Sequence, residues 1–126
     1  MDRQPAQDIL RQFQVALNAG DIDALMALYE PSCALLLGPG NVVEGLAAVR
    51  RAQLDLMALH GEFQIETREA VEVGDLALVS GSWSFNGTDA NGAAVTLGGV
   101  TADVLRRQPD GRWLYVIDVP VIAPRQ

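Results

Sequence analysis

The sequence contains a single cysteine, Cys33, and a single histidine, His60. A lone cysteine cannot close an internal disulfide, which fits a reducing compartment, so a cytoplasmic protein is expected. Two soft ligands are too few for a structural zinc site, and neither a metal nor a cofactor is expected. Cys33 sits in the apolar run Cys33-Ala34-Leu35-Leu36-Leu37 and reads as a small buried hydrophobe rather than a nucleophile. His60 ends a helical stretch, where a cation suits the dipole, and reads as structural. Positive charge is scarce: nine basic residues stand against 16 acidic ones, for a net charge of −7. Nucleic acids and anionic membranes are gripped through a basic face, so neither is an expected partner. No apolar run approaches the ~18 residues of a membrane helix. The polar start, Met1 to Gln7, does not have the pattern of a secretory signal. Repeats, low-complexity tracts and linkers are also lacking. A chain of 126 residues, 49% hydrophobic and 20% charged, then reads as one soluble domain over 1–126 with a sizeable core.

The order of periodicities sets the fold class. Residues 5–19 read as a helix with Ile9, Phe13, Ala16 and Leu17 on one face, stopped by Asn18-Ala19-Gly20. Asp21 is placed to cap a second short helix with Leu25 and Leu28 facing in, ended by Pro31. Ser32 to Leu37 reads as a buried strand, Gly38 to Asn41 as a turn, and 46–59 as a third helix with Leu46, Val49 and Leu56 as its core stripe. After Gly61 the period changes from 3.6 to 2. Phe63, Ile65, Thr67, Val71 and Val73 alternate with polar residues, Gly74-Asp75 makes a tight turn, and the next strand aligns Val79, Gly81, Trp83 and Phe85. One long strand over 94–108 and a final arm follow. Helices first and a strand meander after is an α+β pattern.

The last quarter, Gly98 to Val119, carries the main pointer to function. It reads as two strands joined by Gln108-Pro109-Asp110-Gly111. Side chains alternate faces along a strand, so Thr101, Asp103 and Leu105 share one face of the first arm. Leu114, Val116 and Asp118 share one face of the second, with Trp113, Tyr115 and Ile117 on the other. Each arm therefore sets a carboxylate in line with apolar neighbours, where a half-buried strand normally has an apolar or neutral residue. Desolvation raises the pKa of such a group, and a second carboxylate nearby raises one of the two further. A carboxylic acid tuned toward neutrality exchanges protons with a substrate, an effect worth roughly two to four orders of magnitude in rate. The structural alternative is that Asp103 or Asp118 simply accepts from backbone amides, Arg106 or a nearby hydroxyl.

The stretches ALNAGDIDALMALY, GLAAVRRA, VGDLALVSGSW and VLRRQPDGRWLYVIDV, in this order, resemble the SnoaL-like domains of the nuclear-transport-factor-2-like superfamily, which also holds the ketosteroid isomerases. The resemblance implies a cone-shaped fold, three helices packed on a curved antiparallel sheet around a deep pocket, and a homodimer. In the isomerases a tyrosine donates to the oxyanion from the first helix; the matching residue here is Phe13. Their base aspartate matches Leu37. Their second, protonated aspartate matches Asp103, and in those enzymes an apolar site keeps it neutral. With the base and one oxyanion donor missing, steroid isomerisation is not expected. In the polyketide cyclases of the same superfamily an aspartate on the last strand acts as general acid/base, and Asp118 matches it.

Asp118 and Asp103 are thus the candidate catalytic residues. Phe13, Leu17, Tyr29, Leu37, Val79, Trp83 and Val116 are the candidate ligand contacts. Trp83 suits stacking on a flat ligand and equally suits plain core. Tyr29 is placed to donate a hydrogen bond near the pocket mouth, or to cap the second helix against the sheet. Arg50 and Arg51 read as a solvated helix face. Ser80, Ser82 and Ser84 alternate opposite Trp83 with no base placed for any of them, so a serine nucleophile has no support. Trp113, Tyr115 and Ile117 read as an apolar outer sheet face at a dimer interface. Three function classes remain: a small acid/base enzyme acting on an apolar, cyclic or polyketide-like substrate; a non-catalytic protein that binds such a ligand; and a dimerisation module of the same fold.

Overall fold

A computed structural model describes residues 4–121 and 123–124. The elements run α1 (Asp8–Asn18), α2 (Ile22–Met26), β1 (Tyr29–Gly38), β2 (Asn41–Glu44), α3 (Leu46–Met57), β3 (Glu62–Val73), β4 (Leu76–Thr88), β5 (Ala94–Val100), β6 (Asp103–Arg107), β7 (Trp113–Asp118) and β8 (Ala123–Pro124). The class is α+β, with helices first and a curved, mostly antiparallel sheet after them. Strand order is β2-β1-β7-β6-β4-β5-β8, and β3 pairs with β4. One pairing is parallel: β1 runs alongside β7, with Leu35 opposite Asp118. It is the exception to the expected antiparallel sheet. The connection between them is long, running through β2, α3 and β3 to β6, which lets the chain return in the same direction.

The local signals act as their chemistry dictates. Asp21 caps α2 by accepting from the Ala24 amide at 3.1 Å. The α1 face of Ile9, Phe13, Ala16 and Leu17 is buried, joined by Leu10. Along β4 the buried set is Ala77, Val79, Gly81, Trp83 and Phe85. α1 is fastened to β3, an edge strand with unpaired backbone groups. Asn18 accepts from the Phe63 amide and donates to the Phe63 carbonyl, both at 2.8 Å. Gln14 accepts from the Ile65 amide at 2.9 Å. These bonds bring the Phe13 and Phe63 rings to 5.2 Å.

Strict alternation fails at three places, and each failure re-aims side chains. The expected long strand over 94–108 breaks at Thr101 and Ala102, leaving β5 and β6 to pair with different stretches of β4. Thr101 seals the break: its hydroxyl oxygen accepts from the Gly81 amide at 2.9 Å, and its amide donates to the Gly81 carbonyl at 2.8 Å. In β3 the register skips Arg68, so Thr67 faces Gly81 while Glu69 faces Ser80. This bulge turns Val71 and Val73, aligned with Phe63 in the sequence, to the exposed side. In β7 the register skips Val116, with Leu105 opposite Tyr115 and Val104 opposite Ile117. Tyr115 is therefore buried beside Phe13, and Trp113 is also buried, its indole N–H donating to the Gln4 carbonyl at 2.9 Å. Trp113, Tyr115 and Ile117 do not form an apolar outer face; of the three only Ile117 is exposed. In α3, Val49 is buried, Leu56 is half-buried and Leu46 is exposed.

Candidate functional site

The helices and the sheet enclose a cavity of about 450 Å³, within the usual range for a small-molecule site, roughly 300–1,000 Å³. Phe13 from α1, Phe63 from β3, Trp83 from β4 and Tyr115 from β7 supply aromatic wall. Leu10, Leu35, Leu56, Leu59 and Ile65 supply aliphatic wall, and the exposed Leu37, Leu97 and Val121 edge it. The polar groups converge in one region: Gln53, Thr101, Asp103 and Asp118, with the exposed Asp55 farther out on α3.

The two carboxylates meet because of the β7 bulge. Val104 pairs with Ile117, so Asp103 stands opposite Asp118 across β6 and β7 on the cavity face. A strand without the extra residue would send either Tyr115 or Asp118 out of the cavity. Both aspartates are buried, Asp103 at 1% exposure and Asp118 at 6%. Asp103 Oδ1 accepts from the Val119 amide at 2.9 Å, and the Ala102 amide donates to the Val119 carbonyl at 3.0 Å. Asp118 Oδ2 accepts from the Tyr29 hydroxyl, which in turn accepts from Gln53 Nε2 at 3.1 Å. Tyr29 stacks on Tyr115 with ring centroids 4.9 Å apart.

This enclosure shifts the acid–base chemistry. Burial pushes the Asp103 carboxyl well above the usual aspartate range, and the charge and hydrogen bond of Asp118 push it further; the Val119 amide and the Thr101 hydroxyl pull it partly back. Burial also raises Asp118, against the lowering effect of hydrogen bonds from Tyr29 and Asp103. Burial, followed by the charge of Asp118, raises the Tyr29 phenol. Burial and the two carboxylates do the same to Tyr115. Both phenols are neutral at ordinary pH, and Tyr29 is the one that donates to the pair. Two close carboxyls in an apolar site share protons rather than ionise together, so the pair can hold and release a proton at the cavity wall.

The placement of the sequence-derived candidates is uneven. Asp103, Asp118, Phe13, Leu37 and Trp83 line the cavity. Leu17, Tyr29, Val79 and Val116 do not. Leu17 lies at a second, smaller hollow with Asn18, Met57, His60 and Phe85. Val79 is fully buried in the sheet's packed core. Val116 is the bulged residue, and Tyr29 stands behind the wall, bonded to Asp118 and Gln53 and stacked on Tyr115. Tyr29 is the first residue of β1, neither at a pocket mouth nor a cap of α2. Sequence reasoning missed Tyr115, Phe63 and Gln53 as cavity residues. Phe63 was legible as a buried strand position. Gln53 had one signal, a polar residue one turn after Val49 on the buried side of α3. Among the described residues, no group of three or more His, Cys, Asp or Glu side chains could hold a metal ion.

The model of the SnoaL-like domain matches residues 9–116, stopping short of Asp118. No curated protein matches the sequence. Among solved structures, a ketosteroid isomerase-like protein from Erwinia carotovora atroseptica shares 22% identity over 94% of this chain and 95% of its own, with a TM-score of 0.80. A conserved protein from Planctomyces limnophilus gives a TM-score of 0.81 at 21% identity, over 94% of this chain and 93% of that one. A candidate dehydratase of the nuclear-transport-factor-2-like family from Streptomyces avermitilis gives 0.72 at 25% identity, over 93% and 95%.

Proposed function

We propose, from the premise that this chain belongs to the SnoaL-like domain family, that it binds a small, largely apolar ligand and performs general acid/base chemistry on it through Asp118 and Asp103. Cyclic and polyketide-like molecules are the class that suits the walls. The observation that carries the reading is the carboxyl pair opening onto an otherwise apolar cavity of about 450 Å³. Proton transfer to or from a bound carbon or oxygen needs no cofactor. Steroid isomerisation is not the reaction proposed: Phe13, the sequence match to the donating tyrosine, has no hydroxyl, and Leu37, the match to the base, has no carboxylate. Supporting a reducing, cytoplasmic setting, Cys33 has no second cysteine to pair with. Among the described residues no helix is long and apolar enough to cross a membrane.

The test uses Trp83 as its reporter. Trp83 lines the cavity and Trp113 does not, so a ligand entering it alters Trp83 emission selectively. A panel of neutral one- to three-ring compounds should include members that quench the wild type saturably and fail to quench Trp83→Phe. Their affinity should fall in Asp118→Asn. Silence across the panel, or quenching that survives in Trp83→Phe, would overturn the reading.

Self-association is a second reading, favoured by the outer sheet face. Val71 pairs with Leu78 and Val73 with Leu76, and all four are exposed. Val104 and Ile117 continue the same side across β6 and β7. An apolar stripe across four strands suits a homodimer formed by two such faces.

A further inference from the structure

We propose that Tyr29, oriented by Gln53, is the positioning residue that gives the carboxyl pair its polarity, leaving the shared proton on Asp103 as the acid and the charge on Asp118 as the base. This inference rests on the acid/base reading of the pair and assigns each member a different role within it.

The geometry assigns the protons one by one. Gln53 Nε2 has only protons to give, so at 3.1 Å it donates to the Tyr29 oxygen. The single Tyr29 proton then goes to Asp118 Oδ2. Each donor in the chain strengthens the next, because a phenol whose oxygen accepts a hydrogen bond is a better donor itself. A phenol aimed at a carboxylate makes a charge-assisted bond, roughly twice as strong as a neutral one. Asp103 has the Val119 amide at 2.9 Å and the Thr101 hydroxyl as its donors instead, neither of them a phenol. Both carboxyls are buried, so enclosure does not separate them. The stronger donor therefore falls on Asp118. The acid form of Asp103 spends its proton toward Asp118 and still accepts from Val119, so no proton or acceptor in the set is wasted.

The groups facing Asp118 come from every surrounding strand. β1 supplies Tyr29 and Cys33, β6 supplies Asp103, and β7 supplies Tyr115; α3 adds the neutral Gln53, with Asp55 exposed at the cavity edge. Burial raises the Cys33 thiol, so it is neutral. Glu30, next to Tyr29 in β1, turns away to Arg106 and Gln108. Asp103 is thus the neighbouring carboxyl among the described residues that competes with Asp118 for the proton, and Tyr29 is the neutral donor that decides the contest.

The experiment is a site-resolved NMR titration of the carboxyl carbons of Asp103 and Asp118 in the full chain without ligand, in the wild type, Tyr29→Phe and Gln53→Leu. In the wild type Asp118 should lose its proton at lower pH than Asp103. Tyr29→Phe keeps the ring and removes the donor, so the Asp118 midpoint should rise by about one unit or more, narrowing or reversing the order. Gln53→Leu touches neither carboxyl and should raise Asp118 in the same direction by less. It also keeps the test open if Tyr29→Phe does not fold. A merely structural tyrosine would lower the melting temperature and leave the two midpoints in place, which would overturn the proposal. So would a wild type in which Asp103 ionises first. Because no ligand is used, failure of the Trp83 quenching experiment would sink the ligand reading without touching this result.

Discussion

Replacing Asp103 by asparagine removes one titrating group while keeping its shape. The amide oxygen can still accept from Val119, and its N–H takes the place of the acid's proton toward Asp118. Asn at this position therefore mimics protonated Asp103 at every pH. Linkage gives the sign of the stability effect. Burial, followed by Asp118, raises the folded-state pKa of Asp103, whereas in the unfolded chain it titrates near the free value of about 3.9. A carboxyl raised in the fold contributes its full stability below the unfolded pKa and loses it as pH rises through the folded one. Each unit of elevation is worth about 1.4 kcal/mol, which is about 5 °C of melting temperature at this chain length. At 1% exposure, solvent screening removes little of it. Thermal melts of both proteins in steps from pH 4 to 8, at constant ionic strength, read the effect directly. The curves should lie together near pH 4 and separate as pH rises, with Asp103→Asn the more stable by several degrees at pH 8. A gap independent of pH, or a variant less stable throughout, would refute the reasoning, because Asp103 would then be an ionised structural acceptor.

Three further outcomes are expected. Leu105→Ala empties a fully buried position beside Tyr115 and should cost about 2–5 kcal/mol in urea unfolding. Thr101→Val removes the acceptor of the buried Gly81 amide at the β5–β6 break; it should cost about 1–3 kcal/mol and speed hydrogen exchange at Gly81. Leu78→Glu puts a charge into the middle of the apolar stripe on the outer sheet face. It should shift sedimentation toward the monomer while leaving Trp83 quenching intact, and an unchanged sedimentation profile would remove that face as the interface.

Most of the architecture was legible because local chemistry and global fold agree. The α1 stripe, the Asp21 cap, the turns at Gly74 and Gly111, and the alternation of β4 each point to the element that forms. What was not legible is where alternation is broken. A bulge is one extra residue against a partner strand, and its signal lies in the pairing, which a single strand's pattern does not contain. Arg68 and Val116 are unremarkable in sequence, yet each reverses the sides of every residue beyond it. β2 was hidden for a related reason: Asn41 to Glu44 has only four residues, two of them polar, so the turn before it dominated the pattern.

The site shows the same limit with a functional consequence. Asp103 and Asp118 stood out because a carboxylate amid apolar strand neighbours is costly unless something uses it or satisfies it. The alignment of Asp103 with Leu105 marked it as inward; Asp118 is inward as well, but because the Val116 bulge turns it away from the side of Leu114, with which the alternation had aligned it. Under strict alternation, however, Tyr115 had to face away from Asp118, and the aromatic contacts read from the sequence were Phe13, Tyr29 and Trp83 without it. The Val116 bulge puts Tyr115 and Asp118 on one side three residues apart, and the parallel pairing of β1 brings Tyr29 to the same place from 89 residues away. Around the pair one tyrosine stacks, the other donates, and Gln53 on α3 holds the donor. A composition of two aspartates could be read along the chain. The proposed inequality between them rests on the Tyr29 hydroxyl bonding only Asp118, and that contact exists only once the strands have chosen their registers.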